Sequence, residues 1–241
     1  MPLAIMAQKS VTIQGRLTKL NDSAKVYLLY PDTTGLVFKI VDSTLVINHQ
    51  FSFKLKNNLP VKVFLRVYHK SLTSSQVEAR DEVPVYLISS NPIIQVLSNT
   101  DHIKGAVVIG SKNNDDNTKY LNMLKPLEKE SQRLLAKYKA KGPDANKDTT
   151  FMKALIRERD IQNKGFLNLA LQFIRSNYDS YFALELLYTG FSQHVIDHKL
   201  AEIEFNKFSV ELQKTDFGKQ LSKAIRDSEF EPRGDGPREG L

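Results

Sequence analysis

The sequence predicts a β-rich, antiparallel, sandwich-like domain followed by an all-α helical domain, an α+β chain overall. Three observations lead there. From Lys9 to about Gly110, apolar residues alternate with polar ones, the period of half-buried strands. Turn residues punctuate that half at short intervals and no long crossover helix interrupts it, which argues against a parallel α/β sheet. Beyond Gly110 the apolar spacing changes to steps of three and four, the period of amphipathic helices.

The strands come first. Val11, Ile13, Gly15 and Leu17 alternate with polar residues, and after a turn at Asn21-Asp22-Ser23 so do Val26, Leu28 and Tyr30. Val37 to Val41 is the next segment. Leu45-Val-Ile47 and Phe51-Ser-Phe53-Lys-Leu55 flank Asn48-His49-Gln50, which reads as a hairpin turn. Pro60 opens a strand in which Val61, Val63, Leu65 and Val67 face one way. Val83, Val85 and Leu87 follow, then Ile94 and Val96, then Ala106 to Ile109.

Ser111 to Asn117 reads as a polar hinge into the helices. Tyr120, Met123/Leu124, Leu127, Leu134/Leu135 and Tyr138 carry the first helix, with Pro126 predicting a kink or a start near it. Lys141-Gly-Pro-Asp-Ala145 is a break, and Asp148 or Thr149 is a cap for the next helix. Phe151 to Ile174 continues, with a possible interruption at Gly165. Ser180 is a cap for a short helix in which Phe182, Leu184, Leu186 and Leu187 are expected to be largely buried. Helical segments follow after Ser192, at Phe208 to Gln213 and at Asp216 to Arg226. The resulting division is 1–8 as a signal-peptide remnant, 9–112 as the β domain, 113–227 as the helical domain and 228–241 as a disordered tail rich in Gly, Pro and charge.

With 241 residues, 41% hydrophobic and 25% charged, the chain has ordinary globular composition and enough length for a real core. Its lack of cysteine excludes disulfides, a Cys-x-x-Cys redox pair and a cysteine nucleophile within it. The net charge is +7. The densest basic run, Lys137, Lys139, Lys141 and Lys147, lies near a helix end, and no Lys/Arg-rich stripe with interleaved aromatics runs along the chain, so a nucleic-acid partner is not expected. No stretch reaches the roughly 18 apolar residues needed for a membrane span.

The chemically tempting residues read as structural. His194 and His198 are four apart with Glu202 extending the stripe, but the His-Glu-x-x-His pattern is missing. Asp197, Glu202 and Glu204 lack a marked nucleophile or partner and read as the wet side of a helix. Gly105-Ala-Val-Val-Ile-Gly-Ser-Lys112 reverses the order a phosphate loop needs and reads as a strand end and turn. Ser71 to Ser75 have only His69 nearby as a base, and Arg233-Gly-Asp235 is a tripeptide common by chance. Tyr27, Tyr30, Tyr68 and Tyr86 are candidates for a carbohydrate-binding face, though strand tyrosines are more often packing residues. No catalytic, cofactor-binding or metal-ligating residue is assigned.

Several segments together resemble a family. They are Val11-Thr-Ile-Gln-Gly-Arg-Leu17, Ala24-Lys-Val-Tyr-Leu28, Asp42-Ser-Thr-Leu-Val-Ile-Asn-His-Gln-Phe-Ser-Phe53, Val85-Tyr-Leu87 and Lys104-Gly-Ala-Val-Val-Ile-Gly-Ser111. This order is similar to the DUF4369-type β domain that precedes a thioredoxin-like module in exported Bacteroidetes thiol–disulfide proteins of the TlpA and AhpC/TSA kind. Phe173-Ile-Arg-Ser-Asn-Tyr-Asp-Ser180 and Thr215-Asp-Phe-Gly-Lys-Gln-Leu221 resemble the helical stretch of those proteins, with Tyr178 where proline is common. The resemblance implies a periplasmic or cell-envelope location through a truncated N-terminal signal, and a non-catalytic accessory role in positioning, dimerisation or client binding. The family's cysteine-bearing module is expected after residue 226 and is not in the sequence. Partners implied are protein clients or a second copy, bound through the β domain. The alternative is a stand-alone periplasmic module for a small ligand or carbohydrate.

Overall fold

The structure, a computed structural model, describes residues 10–19, 24–31, 37–56, 60–68, 81–88 and 93–230. The expected leader at 1–8, the turn at 21–23, the serine loop at 71–75 with His69, and the tail with Arg233-Gly-Asp235 lie outside the described residues. The chain forms two compact units, Met1–Lys119 and Tyr120–Leu241.

The described residues of the first unit form eight strands: β1 (Ser10–Leu17), β2 (Lys25–Pro31), β3 (Phe38–Leu45), β4 (Gln50–Lys56), β5 (Val61–Tyr68), β6 (Glu82–Leu87), β7 (Ile93–Ser98) and β8 (Val107–Ile109). They form two four-stranded sheets, ordered β4-β1-β7-β8 and β3-β2-β5-β6. The inward residues of both sheets make one core, with Ile13, Leu17, Val26, Leu28, Leu65, Val85, Ile94 and Val96 fully buried. Each of these sits on the apolar side of its strand's alternation, so burial follows the period of two. The fold class is α+β as the patterning predicts, with one refinement. Among the described strands β1 and β7 pair in parallel, so the first sheet is mixed.

Two local details depart from the sequence reading. Phe38–Val41 and Leu45, read as parts of separate segments, belong to one strand, β3, which starts one residue after Val37, and its pairing with β2 slips at Leu28/Leu29. The turn at Asn48-His49 is as tight as expected, with both residues at positive φ, 50° and 65°, and a single bridge from Ile47 to Gln50. Its flanking strands nevertheless separate, β3 pairing with β2 and β4 with β1, so the turn is a corner between sheets. Within the β1–β4 ladder Gly15 stands opposite Phe51, and a Cβ on Gly15 would lie 1.9 Å from the ring. The glycine makes room for the phenylalanine in the core.

The expected hinge at Ser111–Asn117 is instead the start of a helix, α1 (Lys112–Lys141). Of the polar residues in this stretch Ser111, Asn113, Asn114 and Asp116 are buried, and Ser111 and Asn114 bond the backbone of the edge strand β6. Asn114 Oδ1 accepts from the Tyr86 amide at 2.8 Å, and its Nδ2 donates to the Tyr86 carbonyl at 3.0 Å. Ser111 Oγ accepts from the same Nδ2 at 2.7 Å and donates to the Tyr86 carbonyl at 3.3 Å. The carboxamide thus closes the outer edge of β6 as a neighbouring strand would.

The second unit contains the rest of α1, then α2 (Thr149–Arg175), α3 (Tyr181–Ser192), α4 (His198–Phe205), α5 (Val210–Gln213) and α6 (Asp216–Phe230). Asp148, Ser180, Asp197 and Ser209 accept from the amides of Phe151, Ala183, Leu200 and Leu212, which caps α2 to α5. Pro126 lies inside α1, and α2 runs unbroken through Gly165. That glycine serves close packing: a Cβ there would meet a Leu127 methyl at 3.1 Å. Tyr120, Phe173 and Phe182 pack with ring centroids 5.3 to 5.7 Å apart and anchor the helical core.

Candidate functional site

The alternation that buries Val11, Ile13 and Leu17 turns Thr12, Gln14 and Arg16 outward. On β4 it turns out Gln50, Ser52 and Lys54, and on β7 Ile93, Gln95 and Leu97. Register lines them up in three cross-strand rows. Lys54, Thr12 and Ile93 form one; Ser52, Gln14, Gln95 and Ile109 the next; Gln50, Arg16, Leu97 and Val107 the third. The face is therefore polar over β4 and β1 and mostly apolar over β7 and β8, where Gln95 is the polar residue.

Thr44, Leu45 and Ile47 rise beside this face at the corner between β3 and β4 and make it a trough of about 570 Å³. Leu45, Ile47, Leu97, Val107 and Ile109 are exposed. Arg16 has no ion-pair partner among the described residues. Three carboxamides, a guanidinium and the hydroxyls of Ser52 and Thr44 supply donors and acceptors, and the leucines and isoleucine supply apolar contact. Such a surface can hold the backbone and side chains of an extended polypeptide. The alternation of β1 marks Gln14 and Arg16 as facing out. That Gln95 and Ser52 stand beside them depends on strand register, which sequence reasoning did not reach.

The residues singled out from sequence do not converge. His194 lies in the turn after α3 with φ 56°, and His198 opens α4, so the two imidazoles share no helical face. Asp197 caps α4 through the Leu200 amide at 2.9 Å, and Glu202 is exposed. Gly105 and Gly110 have φ of 82° and 108° and flank β8, a strand end and a turn. Tyr86 is buried, while Tyr27 meets Tyr68 edge-on at 6.2 Å, away from the trough. Among the described residues, no group of three histidines, cysteines, aspartates or glutamates is placed to hold a metal ion, and no helix is long and apolar enough to cross a membrane.

Glu204 behaves unlike its neighbours. Its side chain is 1% exposed and takes Arg175 at 2.8 Å and Lys207 at 3.1 Å, while the Tyr178 hydroxyl donates to the same carboxylate. Burial pushes its pKa up, but the hydrogen bonds from Tyr178, Arg175 and Lys207 outweigh this and hold it below the ordinary glutamate value. With both oxygens engaged by cations, it is a structural anchor between the end of α2 and α4 rather than an acid or base.

No curated protein and no solved structure matches the chain. Residues 11–117, from β1 into the first turns of α1 and including both the trough and the Asn114 clamp, match the model of DUF4369, a domain of unknown function.

Proposed function

We propose that the chain is a non-catalytic accessory region of a cell-envelope thiol–disulfide interchange protein, and that its β unit binds an extended segment of a protein client along the trough. The observation that carries the binding role is the outer face of the β4-β1-β7-β8 sheet, with Arg16 and three glutamines beside exposed Leu97 and Val107. The match over residues 11–117 supports the DUF4369 part of the resemblance, and the redox context rests on the order of segments in the helical half, which resembles that of the exported thiol–disulfide proteins. Thiolate chemistry needs a cysteine, so in this reading a thioredoxin-like partner module supplies it. A carbohydrate site would favour an exposed aromatic platform, and the tyrosines that are candidates for one sit elsewhere.

Titrating isotope-labelled chain with a permanently unfolded, S-carboxymethylated protein tests the binding role. Amide shifts are expected on β1, β4 and β7, with Arg16→Glu and Leu97→Asp each weakening binding about tenfold or more. Shifts absent from the trough, or unchanged affinity in both variants, would sink it. Fractionation of cells that produce the protein tests location: the proposal requires the envelope fraction and fails on a cytosolic one.

A further inference from the structure

We propose that the groove between α1 and α2 in the helical unit binds a small amphiphile with one apolar chain and an anionic head, a fatty-acid-type carboxylate. The groove has a volume of about 540 Å³. Each wall is one stripe of a helix: Ser131, Leu134, Leu135 and Tyr138 on α1, and Met152, Leu155, Gln162 and Phe166 on α2. Their spacings of three, four and seven put each set on a single face.

The ends of the groove are held in place. Gln162 is buried and donates through Nε2 to the Leu127 carbonyl at 2.8 Å and to Ser131 Oγ, tying the helices together at one end. At the other end the Tyr138 hydroxyl donates to Asn146 Oδ1 at 3.2 Å. Between these ties Leu135 remains 53% exposed, so the apolar wall faces open solvent.

Charge selects the head group. Arg159 is the sole ionisable cation or anion lining the groove apart from the phenol of Tyr138, and it has no ion-pair partner among the described residues. The neighbouring Glu158 is taken by Arg133 and Lys137. Asn163 lies one residue turn away on the same rim with its carboxamide free to donate. An apolar cleft of this size with a few convergent polar groups and one unpaired guanidinium has the make-up of a small-molecule site, and it favours a planar anion over a cation.

The test uses sodium dodecanoate below its micelle-forming concentration, titrated calorimetrically into the full chain. One equivalent is expected to bind, with amide shifts on both helical stripes. Dodecyltrimethylammonium, with the same tail, is expected to bind at least about tenfold more weakly, and Arg159→Gln to weaken dodecanoate by about tenfold. Leu135→Glu, at an exposed position, is expected to abolish binding with helix content unchanged by circular dichroism. If that variant loses helicity, Arg159→Gln still decides. Equal affinity for the two amphiphiles, indifference to Arg159→Gln, shifts confined to the β unit, or binding to phosphatidylglycerol vesicles but not to monomeric dodecanoate would each overturn the proposal.

Discussion

At the residue scale, Glu204 is a carboxylate whose surroundings in the fold, buried between Arg175, Lys207 and Tyr178, differ from those in the unfolded chain. A carboxyl with a lower pKa folded than unfolded binds fewer protons in the folded state. It stabilises the fold above its unfolded pKa, and that contribution is lost as pH falls through the folded one. Wild-type thermal stability should therefore fall between about pH 6 and pH 3 more steeply than that of Glu204→Gln, which cannot titrate there. Equal slopes in the two melting series would show that the cluster is not the acid-sensitive element. Asn114 is the second informative residue. Asn114→Ala leaves the amide and carbonyl of Tyr86 without the carboxamide, and a loss of about 1–3 kcal/mol is expected in a urea titration. Neither residue was legible as such in the sequence. Glu204 was grouped with the solvated carboxylates because periodicity alone cannot show which cations fold back over it. Asn114 was read into a hinge because a run of polar residues looks the same whether it meets water or the open edge of a strand.

At the element scale, the strands were the most legible parts, since each needs only its own alternation. What alternation cannot supply is the partner. The corner at Asn48-His49 shows this: the local turn chemistry is that of a hairpin, yet the strands on either side enter different sheets. His49 holds φ 65° without being glycine. His49→Gly would create the Asn-Gly pair that such turns favour, and it should raise the melting temperature through a gain of about 0.5–1 kcal/mol. A drop would mean that the imidazole makes a stabilising contact of its own. The histidines at 194 and 198 teach the converse lesson. A spacing of four implies a shared face only within one helix, and the turn after α3 falls between them.

At the scale of the whole molecule, a net charge of +7 would on its own suggest anionic partners. The densest cluster of that charge is largely paired within the chain. In the densest basic run Lys137 pairs with Glu158, Lys141 with Asp148 and Lys147 with Asp144, which lowers the local positive potential. The chain should leave a DNA duplex unretarded in a gel-shift assay at about 150 mM salt. A discrete shifted band would show that the charges act together as a nucleic-acid surface. The two cores likewise form from separate stretches of chain, the strand residues in one unit and the aromatic trio of Tyr120, Phe173 and Phe182 in the other.

The sequence by itself determined the class of each half, the inward residues of the strands and the cap at Ser180, and it narrowed the cap of α2 to Asp148 or Thr149. These depend on period and on short-range hydrogen bonding, which act over a few residues. Tertiary structure alone decided the parallel pairing of β1 with β7, the rows that set Arg16 beside Leu97, the clamp of Asn114 on β6, and the groove beside Arg159. Each of these joins residues far apart along the chain, and their meeting is set by the packing of whole elements, which no local pattern encodes.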